Sequence, residues 1–167
     1  RFHTMDQVLH KMMKESDNLY AESMYYQIAA STGNRPASAK SARSVERQFI
    51  NQKLGLDASR YKLADGSELE VAMLRYAFRN DNIKQHLIHS LPIAGVDGTL
   101  KKRMRSGSAH GNVKAKTGTL TGIISLAGYC TAANGHELCF SIINNGIMHG
   151  SNARNFADKV CKLLCQP

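Results

Sequence analysis

Met5, Val8, Leu9, Met12 and Met13 recur at the spacing of one helical face, and Thr4 stands where a cap would start the run. The pattern breaks at Ser16-Asp17-Asn18, three residues that favour turns and caps over helix interiors. It resumes from Leu19 to Ala30, so residues 4–30 read as two helices with a polar turn between them. Residues 31–43 are small and polar and read as a loop, followed by a short helix from Val45 to Leu54 closed by Gly55. Tyr61-Lys62-Leu63-Ala64 predicts a short strand ended by Asp65-Gly66, and Leu69–Phe78 and Asn82–Ser90 predict helices. After a loop at Pro92 and Gly95–Gly98, Thr99–Met104 predicts one more short helix.

The last third of the chain changes period. Val113–Leu120, Gly122–Ala132 and His136–Asn144 are strand-like runs, and Asn134-Gly135 between the last two is a strong hairpin signal. Residues 152–165 predict an amphipathic helix with Phe156, Val160, Leu163 and Leu164 on its apolar face. The expected architecture is a helical part over 1–110 and an antiparallel meander with a covering helix over 111–167, an α/β (α+β) arrangement of sheet flanked by helices.

A two-residue turn on Asn134-Gly135 would place Cys130 opposite Cys139 in a non-hydrogen-bonded pair, at a Cα spacing of about 4.5 Å, near the short end for a disulfide. Two structural readings stay open: a cross-strand disulfide in an oxidising compartment, or two thiols packed as small apolar groups. Cys161 and Cys165 lie one helical turn apart and are expected in the core.

Composition narrows the function classes. The chain has 167 residues, enough for one domain with its own core, and no unbroken apolar stretch of membrane-spanning length. Arg1-Phe2-His3 opens no secretory signal, so any targeting segment is expected upstream. Net charge is +9, from 22 Lys and Arg against 13 Asp and Glu, which favours anionic neighbours. The basic residues at 101–105 and 114–116 carry no interleaved aromatics for base stacking, so no specific nucleic-acid recognition is expected. No Cys-x-x-Cys pair is present, and the His86/His89 spacing lacks a third ligand, so neither metal nor cofactor is expected.

Two triplets carry chemistry. Lys116-Thr117-Gly118 falls in the first strand of the meander, and Ser16-Asp17-Asn18 at the junction of the first two helices. A lysine at a strand tip supplies positive charge for a carboxylate, and the Thr117 hydroxyl can donate to the same group. Gly118 leaves the strand edge open to substrate, and Thr119 can offer its backbone N–H to an oxyanion. Ser16 can relay a proton, Asn18 can hold an amide with donor and acceptor together, and Asp17 braces the loop. Taken singly, each triplet also suits a plain turn or strand end.

Together, Ser-Asp-Asn and Lys-Thr-Gly resemble two of the three motifs of penicillin-binding proteins and class A β-lactamases, the third being Ser-x-x-Lys. Lys14–Glu22, Leu54–Asp57 with Asp65-Gly66-Ser67, Leu91–Leu100, and Ala115–Gly122 running into Leu126–Tyr129 are similar, in order, to segments of the type-4 penicillin-binding proteins, class C D-alanyl-D-alanine carboxypeptidases/endopeptidases. The resemblance implies a β-lactamase/transpeptidase-like fold and catalytic roles for Ser16, Asn18 and Lys116. It places Thr117, Gly118 and Thr119 at the substrate. It also implies peptidoglycan D-Ala-D-Ala peptides and β-lactams as ligands, and a periplasmic location.

Two departures stand out. No Ser-x-x-Lys precedes Ser16; Ser59-Arg60-Tyr61-Lys62 fits the letters but sits at a loop entering a strand, not at a helix start. The loop expected after Asp65-Gly66-Ser67 is replaced by a direct run into helix. The nucleophile and further strands of the sheet are therefore expected in the upstream half of the same protein, making this chain a C-terminal part that is inactive alone. The alternative is a non-catalytic module of the same fold that binds envelope polymer.

Overall fold

The computed structural model describes residues 3–33, 35–61 and 67–166, the side chains of residues 67 and 68 excepted. α1 (Met5–Lys14) starts with a reciprocal cap, in which Thr4 Oγ1 accepts from Gln7 N and the Gln7 amide oxygen accepts from Thr4 N. α2 (Asn18–Ala30) is capped by Asp17. α3 runs from Ala39 to Lys53, longer than the apolar pattern suggested, because Ser38 caps it through Ser41 N and opens a polar first turn. α4 (Ser67–Phe78) and α5 (Asp81–Ser90) follow. The predicted strand at 61–64 falls, apart from Tyr61, outside the described residues, as does the junction at 65–66. The short helix expected at 99–104 is only a 3-10 turn at Gly98–Leu100. Gly98 and Met104 both hold positive φ, which interrupts helical hydrogen bonding there.

β1 (Lys114–Leu120), β2 (Ile123–Thr131) and β3 (Glu137–Asn145) form an antiparallel meander in that order. α6 (Gly150–Leu164) covers one face and α4 the other. On the α6 side, Ala115, Leu126, Cys130 and Phe140 meet Ala157, Cys161 and Cys165, with Ala94, Leu100, Ala109 and Val113 completing the core. On the opposite side, the Tyr129 hydroxyl donates to Leu74 O at 2.8 Å and Ser141 Oγ to Glu70 at 2.6 Å. In the helical part, α1 packs on α5, α2 on α3, and α4 on α5.

The hairpin corrects the expected register. Ala132 N–H donates to His136 O at 2.8 Å and Gly135 N–H to Ala132 O at 2.9 Å, so three residues span the loop. Gly135 has φ +82° while Asn134 keeps a negative φ, which excludes the mirror-image turn that needs both centres positive. Tyr129 therefore opposes Cys139, and Cys130 opposes Leu138. A shift of one residue sends a side chain to the other face. Cys130 enters the core with Cys161 and Cys165, whereas Cys139 is half-buried beside Phe78, Arg75 and Tyr129. All four cysteines are thiols here, and this register leaves Cys130 and Cys139 on opposite faces with no cross-strand pair to join; Cys130 packs as a small apolar group, whereas Cys139 does not share its core.

α6 presents only part of the face expected, since Leu164 packs against the core and Val160 is half-buried but the other two residues are not. Phe156 and Leu163 are 54% and 67% exposed, while Ala153, Ala157, Cys161 and Cys165, four residues apart, are buried. The sheet explains this choice. A Cβ at Gly128 would collide with Lys114 O and stand 2.6 Å from Ala115 Cα, so β1 and β2 meet closely here and offer α6 a shallow surface. Small helix residues fit that surface most closely, with Leu164 partly buried against the same core.

Candidate active site

The turn between α1 and α2 and the tip of β1 meet. Lys116 Nζ donates to Ser16 Oγ at 2.6 Å and to Thr117 O at 2.7 Å. Ser16 has φ +57°, a left-handed conformation that costs a non-glycine residue about 1–2 kcal/mol. Such a conformation persists when its surroundings enforce it, as at functional turns. Asp17 supplies part of that enforcement, its carboxylate accepting from Leu19 N at 2.9 Å and Tyr20 N at 3.2 Å. These two bonds cap α2 from within the turn. Asn18 follows as the first residue of α2, exposed, and no described contact engages its amide.

Lys116 is half-buried, and desolvation holds its pKa below the ordinary lysine value. No carboxylate is among the described partners of its ammonium, which bonds a hydroxyl and a carbonyl. The cation is thus desolvated and partnered only by neutral groups, an arrangement that favours an incoming anion.

The edge of β1 is ordered by the segment beside it. Ala94 N donates to Val113 O and Ala115 N to Pro92 O, each at 2.9 Å, so the backbone groups of Val113 and Ala115 face away from β2. Strand alternation then turns the N–H groups of Thr117 and Thr119 to the same outer edge. Thr117 Oγ1 donates to Thr99 Oγ1 at 3.0 Å. At Gly118, a Cβ would collide with Ser125 Oγ on the paired strand, so room for Ser125 demands this glycine as much as room for substrate does.

A second ring of contacts surrounds the turn. Lys14, only 6% exposed, places Nζ 2.5 Å from Asp97 Oδ2, and Asp97 Oδ1 accepts from Ile93 N at 2.8 Å. Lys14, Asp97 and Thr99 lie within segments that resemble the family, but the sequence alone marks no role for them. The available signal was the nearness of Lys14 to Ser16 and an acidic residue in an otherwise apolar stretch.

The other sites have separate chemistry. Ser59 Oγ donates to Asp57 Oδ1 at 2.7 Å, and Ser59 lines a cleft with Arg43, Glu46, Arg47 and Tyr61, not with Lys116. His10, His86 and His89 line a cleft with Asp6, in which His86 Nδ1 lies 2.5 Å from Asp6 Oδ1. Among the described residues, no group of three His, Cys, Asp or Glu side chains is placed to hold a metal ion, and no helix is long and apolar enough to cross a membrane.

This sheet and its covering helices, with the Ser16–Lys116 contact where they meet, form a β-lactamase-like fold. The crystal structure of penicillin binding protein 4 from Haemophilus influenzae superposes with a TM-score of 0.79 at 33% identity, covering 93% of this chain and 39% of that one. The TLA-3 extended-spectrum β-lactamase superposes with a TM-score of 0.63 at 16% identity, covering 98% of this chain and 62% of its own, and shares the fold alone. The chain belongs to the D-Ala-D-Ala carboxypeptidase 3 (S13) family, whose pattern matches residues 3–166. The D-alanyl-D-alanine carboxypeptidase DacB of Haemophilus influenzae is 37% identical over 155 residues, which cover 86% of this chain and 32% of that protein. The chain therefore spans about a third of the length of that curated relative.

Proposed function

We propose that this chain forms the carboxylate-gripping part of a serine-type D-alanyl-D-alanine carboxypeptidase/endopeptidase acting on peptidoglycan stem peptides and acylated by β-lactams. The observation that carries this reading is the 2.6 Å contact between Lys116 and Ser16, which brings both triplets into one site. The terminal carboxylate of a D-Ala-D-Ala peptide pairs with Lys116 and accepts from Thr117 Oγ1, whose proton turns away from Thr99 while the Thr99 hydroxyl donates back to Thr117. The peptide lies along the outer edge of β1, where Thr119 N–H faces the scissile carbonyl oxygen and Gly118 keeps the strand surface low. Asn18 holds the substrate amide.

The nucleophile comes from a Ser-x-x-Lys segment outside these 167 residues, in the upstream half of the same protein. Its hydroxyl oxygen adds to the carbonyl carbon as its proton passes to the lysine of the same segment, the C–N bond breaks, and the leaving D-alanine nitrogen takes that proton through Ser16. Water then hydrolyses the ester and regenerates the serine. The position of Ser59, bonded to Asp57 in a different cleft, supports a nucleophile from elsewhere. The protein is placed in the periplasm, where its substrate lies.

Fluorescent penicillin tests the proposal. The complete protein is expected to take up one covalent label that survives denaturation, and the 167-residue chain alone none. A stable adduct on the isolated chain would overturn the assignment of the nucleophile. Absence of label on the complete protein, with salt-sensitive peptidoglycan binding indifferent to Lys116→Ala, would replace the enzyme with a non-catalytic binding module.

A further inference from the structure

We infer that Asp97 is a positioning residue of the cleft, and that the segment Asp97-Gly98-Thr99 is a bracket setting the distance between the Ser16 turn and the Lys116–Thr117 strand tip. The inference rests on the acyl-transfer reading above and adds a residue to which that reading gives no part.

The bracket holds the α1 side at two points. Asp97 Oδ2 lies 2.5 Å from Nζ of Lys14, two residues before Ser16. Gly98, at φ +53°, lies so close to the end of α1 that a Cβ there would stand 2.7 Å from Lys14 O. One contact is ionic and the other is steric, and both act on the same residue. Together they fix where α1 stops and where the left-handed Ser16 begins.

On the β1 side, Thr99 Oγ1 accepts from Thr117 Oγ1 at 3.0 Å, and Pro92 O accepts from Ala115 N at 2.9 Å. The bracket is itself stiff. Asp97 Oδ1 accepts from Ile93 N at 2.8 Å, and Asp97 N donates to Ile93 O at 3.2 Å, so the carboxylate closes its own loop before it reaches Lys14. Lys14 has lost nearly all contact with water, and a buried ammonium depends on its partner in a way a surface one does not. Sliding the turn along the strand would break this pair first. Ser16 Oγ and Lys116 Nζ are thus held together by a frame independent of their own hydrogen bond.

The alternative is that the Lys14–Asp97 pair adds stability only. The Arg103–Asp158 pair serves as the control: it is also largely shielded, with N–O distances of 2.6 and 3.0 Å, and it joins the segment after Leu100 to α6, on the other side of the sheet from α4. In the complete protein, Asp97→Asn, Thr99→Val and Asp158→Asn are compared for melting temperature and for the second-order rate of acylation by fluorescent penicillin. Lys116 is titrated in each through its 13Cε resonance, assigned with Lys116→Arg. Asp97→Asn is expected to slow acylation at least about tenfold and to move the Lys116 titration back toward the ordinary lysine range as Ser16 leaves it. Thr99→Val, at an exposed position that tolerates the change, is expected to slow acylation about threefold or more. Asp158→Asn is expected to lower the melting temperature while leaving both readouts near wild type. Wild-type acylation and an unmoved Lys116 titration in Asp97→Asn would overturn the bracket, as would equal losses in Asp158→Asn. If the wild type is not acylated at all, the acyl-transfer reading fails and the Lys116 titration alone judges the bracket.

Discussion

Lys116 Nζ and Ser16 Oγ, one hundred residues apart in the chain, meet at 2.6 Å. The lysine comes from a strand and the serine from an interhelical turn, so the contact exists only when the sheet and the helical part are docked. The site is a product of tertiary structure, and its two halves can be perturbed separately.

Removing the cation tests its role directly. A hydrogen bond to a charged group contributes about 1.5–3 kcal/mol, which corresponds to a loss of roughly tenfold to a hundredfold. Lys116→Ala in the complete protein is expected to reduce acylation by a carboxylate-bearing penicillin by that factor. The same substitution is expected to matter far less for a β-lactam whose carboxylate is esterified. Equal losses for the acid and the ester would detach Lys116 from carboxylate recognition.

The same lysine sets a pH limit. Desolvation favours its neutral form and lowers its pKa. Carboxylate binding requires the cation, so acylation is expected to fall on the alkaline side at a pH below the ordinary lysine value of 10.5. Stability carries the opposite sign: between the folded pKa and 10.5 the unfolded chain binds more protons, so this residue's penalty is relieved as pH rises. An acylation profile with its alkaline limb at or above 10.5, measured where the protein remains folded, contradicts the assignment.

Much of this site was legible in the sequence, for a physical reason. Ser-Asp-Asn and Lys-Thr-Gly are short, contiguous and chemically specialised, so each reveals its local structure wherever the rest of the chain lies. What escaped was long-range or ambiguous. The Lys14–Asp97 pair spans 83 residues, and nothing local to either marks the other. Asn134-Gly135 suits a two-residue turn and also the last two positions of a three-residue one, and only the docked sheet chose the second. On α6, hydrophobicity favoured Phe156 and Leu163, but the close approach of β1 to β2 at Gly128 selected Ala157 and Cys161.

The thiols should sort by location. Desolvation, with neighbouring cysteines adding to it at Cys130, pushes both Cys130 and Cys161 up to about 12, and they stay protonated and unreactive at pH 8. Cys139, half-buried on the other face, is the one expected to alkylate in the folded protein, with all four reacting in denaturant. Between pH 9.0 and about 12 the unfolded chain loses protons that folded Cys130 and Cys161 retain, so these residues make stability fall as pH rises through that window. Rapid native alkylation of Cys130 would contradict the register of the hairpin.

Gly128→Ala probes the close approach of the strands. The added methyl would meet Lys114 O and the Ala115 backbone, none of which can rotate away. Overpacking of this kind costs about 1–3 kcal/mol or more. Gly118→Ala meets the movable Ser125 hydroxyl instead, so it is expected to cost less stability and to weaken acylation more. Denaturation midpoints of the two variants compare the first effect, and acylation rates the second.

The outer edge of β3 and the outer face of α6 together predict how this chain behaves alone. β3 pairs only with β2 among the described residues, leaving one side of its backbone ladder unpaired beside the half-buried Ile142 and Ile143. Phe156 and Leu163 stand exposed on α6. An unpaired apolar edge is a template for another strand, and exposed apolar surface beside it adds to the drive for association. The isolated 167-residue chain is therefore expected to self-associate or to unfold without cooperativity, and to become monomeric and stable when co-expressed with the upstream half of its protein. Light scattering coupled to size-exclusion chromatography measures the mass, and a thermal melt the cooperativity. Ile143→Lys, which places a charge on the edge strand, should reduce association of the isolated chain. A monomer that melts in one sharp transition on its own would show that the edge needs no partner.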